Sequence, residues 1–422
     1  MDPNDPEGLV YHPNGWARFA WKRKGSWTVP PLTNPYGAPS PGAAIAAGDV
    51  QKMTATLNAL TAMLQATPEG SERRGFFVKE SRTYSYWNPD ELPPGFSAAK
   101  LPVTFSAGYF PFYNADTKKN GVWVPDTGGE TASVYFYFNR LPGRYNQKLV
   151  IAEQRPNGNP IEFYTRPDAV TMKYAGFPIV DGEDLMVVRG NRDPWIAAPY
   201  GRVLKAAMAA YAKDRDTAER RLADLKKKEA ETMSPAYEQQ MKDHLEKYSG
   251  EFKKTNPTKW QGRVEGMQRE LAYNREKARK DANPQRDNDG NWYWHPVEAH
   301  AAAAKRLAEL RPDEAQKPAC FLEAQGQQGR YAMSGDILPA GADARCKEVV
   351  MDNYAYFDPQ LPRSAPQILL VRSFGRCAKV VNGKLVGPKP EASPYFPPQG
   401  CYRHVPMWEA LDWSKVAALL AP

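Results

Sequence analysis

The sequence predicts an α+β protein: an antiparallel β-rich body, sandwich or open barrel, with a projecting helical hairpin or small bundle inserted in it and a disulfide-bonded C-terminal region. Three observations predict it. Between Gly75 and Arg189, short β-type runs follow one another through tight turns without crossover helices, as antiparallel sheets require. At Pro199 the composition switches to a charged, Ala-rich, helix-periodic stretch that lasts to about Asp281. All four cysteines, Cys320, Cys346, Cys377 and Cys401, fall in the loop-rich last quarter of the chain.

Residues 1–48 read as an extended, Pro-rich N-terminal arm. Its Trp16, Phe19, Trp21 and Trp27, around Lys22-Arg23-Lys24, fit aromatics laid over a core with cations outside better than a platform for a polymer. Residues 49–198 read as one helix plus an antiparallel β domain. Asp49 is the expected cap of a helix to about Ala66, with Met53, Leu57, Leu60 and Leu64 as its apolar stripe. The expected strands are Phe76–Tyr84, Val103–Phe112, Gly121–Val124, Ala132–Asn139, Lys148–Glu153, Ile161–Thr165, Ala169–Tyr174 and Leu185–Arg189. Turn chemistry separates them at Asp126-Thr-Gly-Gly129, Pro156-Asn-Gly-Asn159 and Asp181-Gly182.

Residues 199–311 read as a helical module with narrow, coiled-coil-like apolar stripes. One helix follows Pro199, with Val203, Ala207, Tyr211, Leu222 and Leu225 inward. Two more start at Ser234-Pro235 and Asn256-Pro257, each a cap followed by Pro. Their expected stripes are Tyr237, Met241, Leu245, Tyr248 and Phe252, then Trp260, Val264, Met267 and Leu271. A fourth helix is expected at Val297–Leu310. Residues 312–422 return to strands and loops that complete the body. They include Gln367–Phe374, a hairpin at Asn382-Gly383 and a closing helix from Trp408 to Leu420.

The chain has 422 residues, 39 of them Pro, and a net charge of +8 with a pI near 9.0. That balance permits polyanion binding, but acids alternate with the cations, as on solvated helix faces, so no specific nucleic-acid binding is expected. No stretch approaches the ~20 apolar residues of a membrane span. None of the cysteines forms a CxxC pair, which disfavours zinc and redox sites. Cys320–Cys346 and Cys377–Cys401 are the favoured disulfides, because each closes a local loop. An oxidising compartment follows, periplasmic or extracellular. The chain then reads as the mature part of an exported protein whose signal peptide is gone, with Met1 standing at the cut.

Catalytic signatures are missing. His295 and His300 are five apart rather than four, and Pro296 follows the first, so a zinc helix is disfavoured. Asp287-Asn-Asp289-Gly290-Asn291 begins like a calcium loop and lacks its later acid. No nucleophile elbow, phosphate loop or dinucleotide fingerprint occurs. No cofactor, no metal and no catalytic residue is therefore assigned; the pairs Asp90-Glu91 and Glu183-Asp184 are loop acids.

Two segments stand out: Arg189-Gly-Asn-Arg192-Asp-Pro-Trp195 running on to Leu204, and Asn353-Tyr-Ala-Tyr356-Phe-Asp358 running through Arg363 to Val371. Both resemble recurring stretches of large secreted proteins of Gram-negative bacteria. In those, the first reads as an aromatic-Pro junction into a long helix and the second as Tyr-Phe-Asp, Leu-Pro, then Gln and an apolar strand. The resemblance implies export and a β, then helix, then β order, and it carries no activity. Arg192, Trp195, Tyr356, Asp358 and Arg363 are the candidate ligand or junction residues. The expected function is that of an exported binding or interaction protein with a protein or polymer partner. The alternative is a hydrolase of an extracellular polymer whose carboxylates are assembled by the fold. A cleft between the β domain and the C-terminal region with two carboxylates within ~10 Å would favour the hydrolase. A filled junction would favour binding.

Overall fold

A computed structural model describes residues 9–11, 18–20, 22–35, 45–85, 101–111, 118–119, 122–123, 132–142, 149–155, 160–167, 172–190, 192–282, 295–323, 335–372, 374–387 and 401–421. Strands β1 (Leu9–Tyr11), β2 (Arg18–Ala20) and β3 (Trp27–Thr28) precede helices α1 (Ala47–Ala66) and α2 (Pro68–Glu72). Next come β4 (Phe76–Tyr84), β5 (Val103–Pro111), β6 (Lys118–Lys119), β7 (Val122–Trp123), β8 (Ala132–Phe138), β9 (Val150–Glu153) and β10 (Ile161–Thr165). Strands β11 (Lys173–Tyr174), β12 (Phe177–Val180), β13 (Asp184–Val188) and β14 (Trp195–Ala197) lead into helices α3 (Tyr200–Met233), α4 (Pro235–Ser249), α5 (Phe252–Thr255), α6 (Pro257–Ala282), α7 (His295–Ala308) and α8 (Pro312–Ala315). The C-terminal part holds β15 (Ala319–Glu323), β16 (Gly335–Pro339), β17 (Lys347–Asp352), β18 (Ile368–Val371), α9 (Phe374–Cys377), β19 (Lys379–Val381), β20 (Lys384–Val386), α10 (Cys401–Ala410) and α11 (Trp413–Ala418).

Two sheets form the body, so the sandwich and the open barrel both occur. The larger has the order β11-β12-β13-β18-β8-β5-β4-β3 and curls as a half-barrel. The second runs β16-β15-β17-β10-β9, with β14 sharing an edge of β17 with β15. Among the described residues every strand pairing is antiparallel except β3 with β4, which an isolated parallel bridge from Thr33 to Thr83 follows. Period-2 alternation sets the layers. In β8, β13 and β18, Phe136, Phe138, Leu185, Val187, Leu369 and Val371 pack with α1, α10 and α11. Their alternates Met186, Ile368 and Leu370 face the second sheet and meet Tyr164 and Val350 there. Residues one step along β10 and β17, Phe163 and Val349, point the other way, to Val203, Ala207 and Tyr211 of α3. The order of layers is helix, sheet, sheet, helix.

The alternation of β4 also buries Glu80 and Arg82 on the α1 side, each almost fully. They pair at 2.7 Å; Thr61 and Trp27 donate to Glu80, and Asn58 and Thr61 accept from Arg82.

Several local readings are corrected. Asp49 lies in the first turn of α1 and is not its cap; its Oδ1 accepts the backbone N–H and hydroxyl of Ser364 instead. The closing helix is two helices, with Asp412 capping the second. His295 begins α7, so Pro296 sits in a first turn and breaks nothing. Tyr248, expected inward, is 63% exposed. The aromatic cluster at Trp16, Asp90-Glu91, the turn at Asp287–Asn291 and the piece at 292–294 lie outside the described residues.

The helical module is anchored at one end. The first turns of α3 belong to the core through Val203, Leu204, Ala207 and Tyr211. Beyond Tyr211 the helix runs outward for about 30 Å. There Arg275 of α6 reaches both Thr232 O, at the end of α3, and Glu238, at the start of α4. Helix α6 therefore splints α3 and α4 end to end: its buried Ala278 and Ala282 lie towards α3, and its first half runs beside α4. The turn between α4 and α6 stands on the order of 50 Å from the core, from 1.5 Å of rise per residue.

Candidate functional site

The two segments singled out in the sequence meet. Strand β14 pairs with the end of β17, Trp195 opposite Asp352. Arg192, just before it, donates from Nη1 to Tyr356 O at 3.0 Å and lies 3.6 Å from Asp358 Oδ2. The loop around Asp358 is locked by Gln367, whose Oε1 accepts the Asp358 N–H at 2.8 Å and whose carbonyl accepts the Tyr356 hydroxyl. Trp195 is buried, with the Arg166 guanidinium 5.8 Å from its ring. Arg166 in turn binds Asp193 at 2.8 Å and Glu348. The Tyr164 hydroxyl donates to Asp352. Arg363 is placed elsewhere: its carbonyl accepts the Leu101 N–H on the α1 side of the large sheet.

This junction is filled. Tyr164, Trp195, Val350, Tyr356, Phe357, Ile368 and Leu370 occupy the space between the sheets. Its carboxylates are held by arginines or by a phenol. Burial pushes the Tyr356 phenol up to about 12, against the opposing pull of Arg192, so it donates a hydrogen bond and does not titrate near neutrality. Such an arrangement fixes the angle between the sheets, and among the described residues its carboxylates are engaged in ion pairs or hydrogen bonds.

An open groove of about 760 Å³ lies on the outer side of the second sheet, along the first turns of α3. One wall is the end of β9 at Ala152, Glu153 and Gln154; the other is Leu307, Leu310 and Ala315 around α7 and α8. Gly201 permits that approach, since a Cβ there would meet Ala315 Cβ at 2.9 Å. The lining is mostly small and apolar. Arg202 grips Glu153 with Nε and Nη2 and lies over the Phe163 ring. Lys205 is exposed at the rim and has no ion-pair partner among the described residues. Sequence reasoning missed this site, because alanines and leucines on separate helices carry no motif.

Cys320 and Cys346 form a disulfide between β15 and the start of β17, with Cα atoms 5.5 Å apart. Cys377 is disulfide-bonded as well, and the side chain of Cys401, its expected partner, lies outside the described ones. Among the described residues no helix is long and apolar enough to cross a membrane, and no cluster of metal-ligating side chains occurs. Comparison with protein-family models, curated proteins and solved structures finds no match.

Proposed function

We propose that this is an exported binding protein whose ligand has an apolar body and an anionic group and sits in the groove on α3. The observation that carries the reading is the contrast between a filled junction and an open, apolar groove whose rim carries the Lys205 ammonium, which has no ion-pair partner among the described residues. Pockets of this size and character, apolar with a few placed polar groups, suit small or peptide ligands. The disulfides support export, since such bonds persist in oxidising compartments. A hydrolase needs a second carboxylate beside the first, and among the described residues Glu153, already held by Arg202, is the only acid lining the groove.

The test uses 1-anilinonaphthalene-8-sulfonate, an apolar dye with one anionic group. Saturable binding of one equivalent is expected. Ala209→Trp, which fills the groove from an exposed helical position, abolishes it. Lys205→Glu weakens it about tenfold or more, as loss of a charge-assisted contact requires. Dye binding that Ala209→Trp leaves unchanged overturns the assignment.

A further inference from the structure

The far end of the helical arm carries a surface of a different kind. From Lys247 to Trp260 the chain has four lysines and a single acid, Glu251. Around the same turn stand three aromatic rings: Tyr248 is 63% exposed, and Phe252 and Trp260 are half-buried. Each ring has a lysine ammonium over it: Lys259 over Phe252 at 3.8 Å, Lys253 over Trp260 at 4.8 Å and Lys247 over Tyr248 at 5.2 Å. Lys253 also reaches Glu246. Lys254 is exposed and without an ion-pair partner among the described residues.

We infer that this tip docks on an anionic lipid surface. Aromatic rings with adjoining ammonium groups are the side-chain pairing that suits a bilayer interface, rings at headgroup depth and cations at the phosphates. The charge is complementary: a compact basic cap at the end of an arm whose shaft alternates sign. Stacking of nucleobases is the poorer fit, because it needs open ring faces and each ring already has an ammonium over one face. Projection from the body by on the order of 50 Å lets the tip touch a surface while the groove stays clear of it. The inference is independent of what the groove binds.

Co-sedimentation of the whole protein with phosphatidylcholine vesicles, with and without about a third phosphatidylglycerol, at ~150 mM salt, tests it. Partition onto the anionic vesicles is expected to be about tenfold stronger or more. Each of Lys254→Gln and Lys259→Gln lowers it on the order of fivefold. Lys254, exposed and without an ion-pair partner among the described residues, supplies a variant that leaves the fold untouched. Tyr248→Ser with Phe252→Ser lowers binding with the circular dichroism unchanged. Equal partition onto both vesicle types, tip variants that bind like the parent, or equally tight binding to duplex DNA at the same salt each overturns the inference.

Discussion

His404 sits in the core against the rings of Tyr109 and Trp408, with Nδ1 3.7 Å from Cys377 Sγ. Its Nε2 is buried without a hydrogen-bond partner among the described residues. Burial therefore favours the neutral ring and pushes its pKa down to about 4. The unfolded chain protonates this histidine near its ordinary value of about 6.5. Between those values the unfolded state holds a proton that the folded state lacks. The contribution, about 3 kcal/mol, is complete above about pH 6.5 and is lost as pH falls to about 4. Replacing His404 by Phe should flatten that part of the profile. Urea midpoints of parent and variant, measured from about pH 7 to pH 4, should draw together or cross as the pH drops; parallel profiles would show that the ring does not stay neutral. The Glu80–Arg82 pair solves the same problem differently, by mutual charge and three further hydrogen-bonding side chains.

At the scale of elements, the arm is where anchoring and projection divide. Replacing residues 226–281 by a short Gly-Ser linker should leave both sheets folded, with the melting temperature of the body shifted by only a few degrees, because those residues pack on the arm itself. Cutting from residue 199 instead removes Val203, Leu204, Ala207 and Tyr211 from the second core. The larger of these side chains contribute about 1.5–3 kcal/mol each, a loss comparable with the whole stability of an ordinary domain. A far-ultraviolet β signal that survives the longer cut, or collapses in the shorter, contradicts this division. The arm was legible because Ser234-Pro235 and Asn256-Pro257 write helix starts plainly, and α1 because its four apolar residues fall at helical spacing. Strands β12 and β14 were not, since four- and three-residue strands earn their state from partners distant in sequence. Tyr248 was misplaced because helical phase puts it near the stripe, while the helix pair leaves its ring in water beside His244. Of the five candidate residues, Arg192, Trp195, Tyr356 and Asp358 lie together and Arg363 lies apart, and no rule of spacing could show that the two segments touch.

At the scale of the molecule, the C-terminal part is woven into both sheets. Strand β18 lies between β13 and β8, and β17 lies between β10 and the pair β14 and β15. One loop, from Asn353 to Gln367, connects those two strands, and the layer of side chains between the sheets closes over it. Neither sheet can then lose its C-terminal strand without opening the other. Leu370 probes this directly, because it faces the shared layer and is 2% exposed. Leu370→Ala should cost about 2–5 kcal/mol, the range for a buried large-to-small change. The loss should register equally in both sheets: native-state hydrogen exchange of amides in β5 and in β10 should report the same drop in opening free energy, since both exchange through one global unfolding. A drop confined to β5, with β10 unchanged, would mean that the sheets unfold as separate units and that the shared layer is a contact between domains.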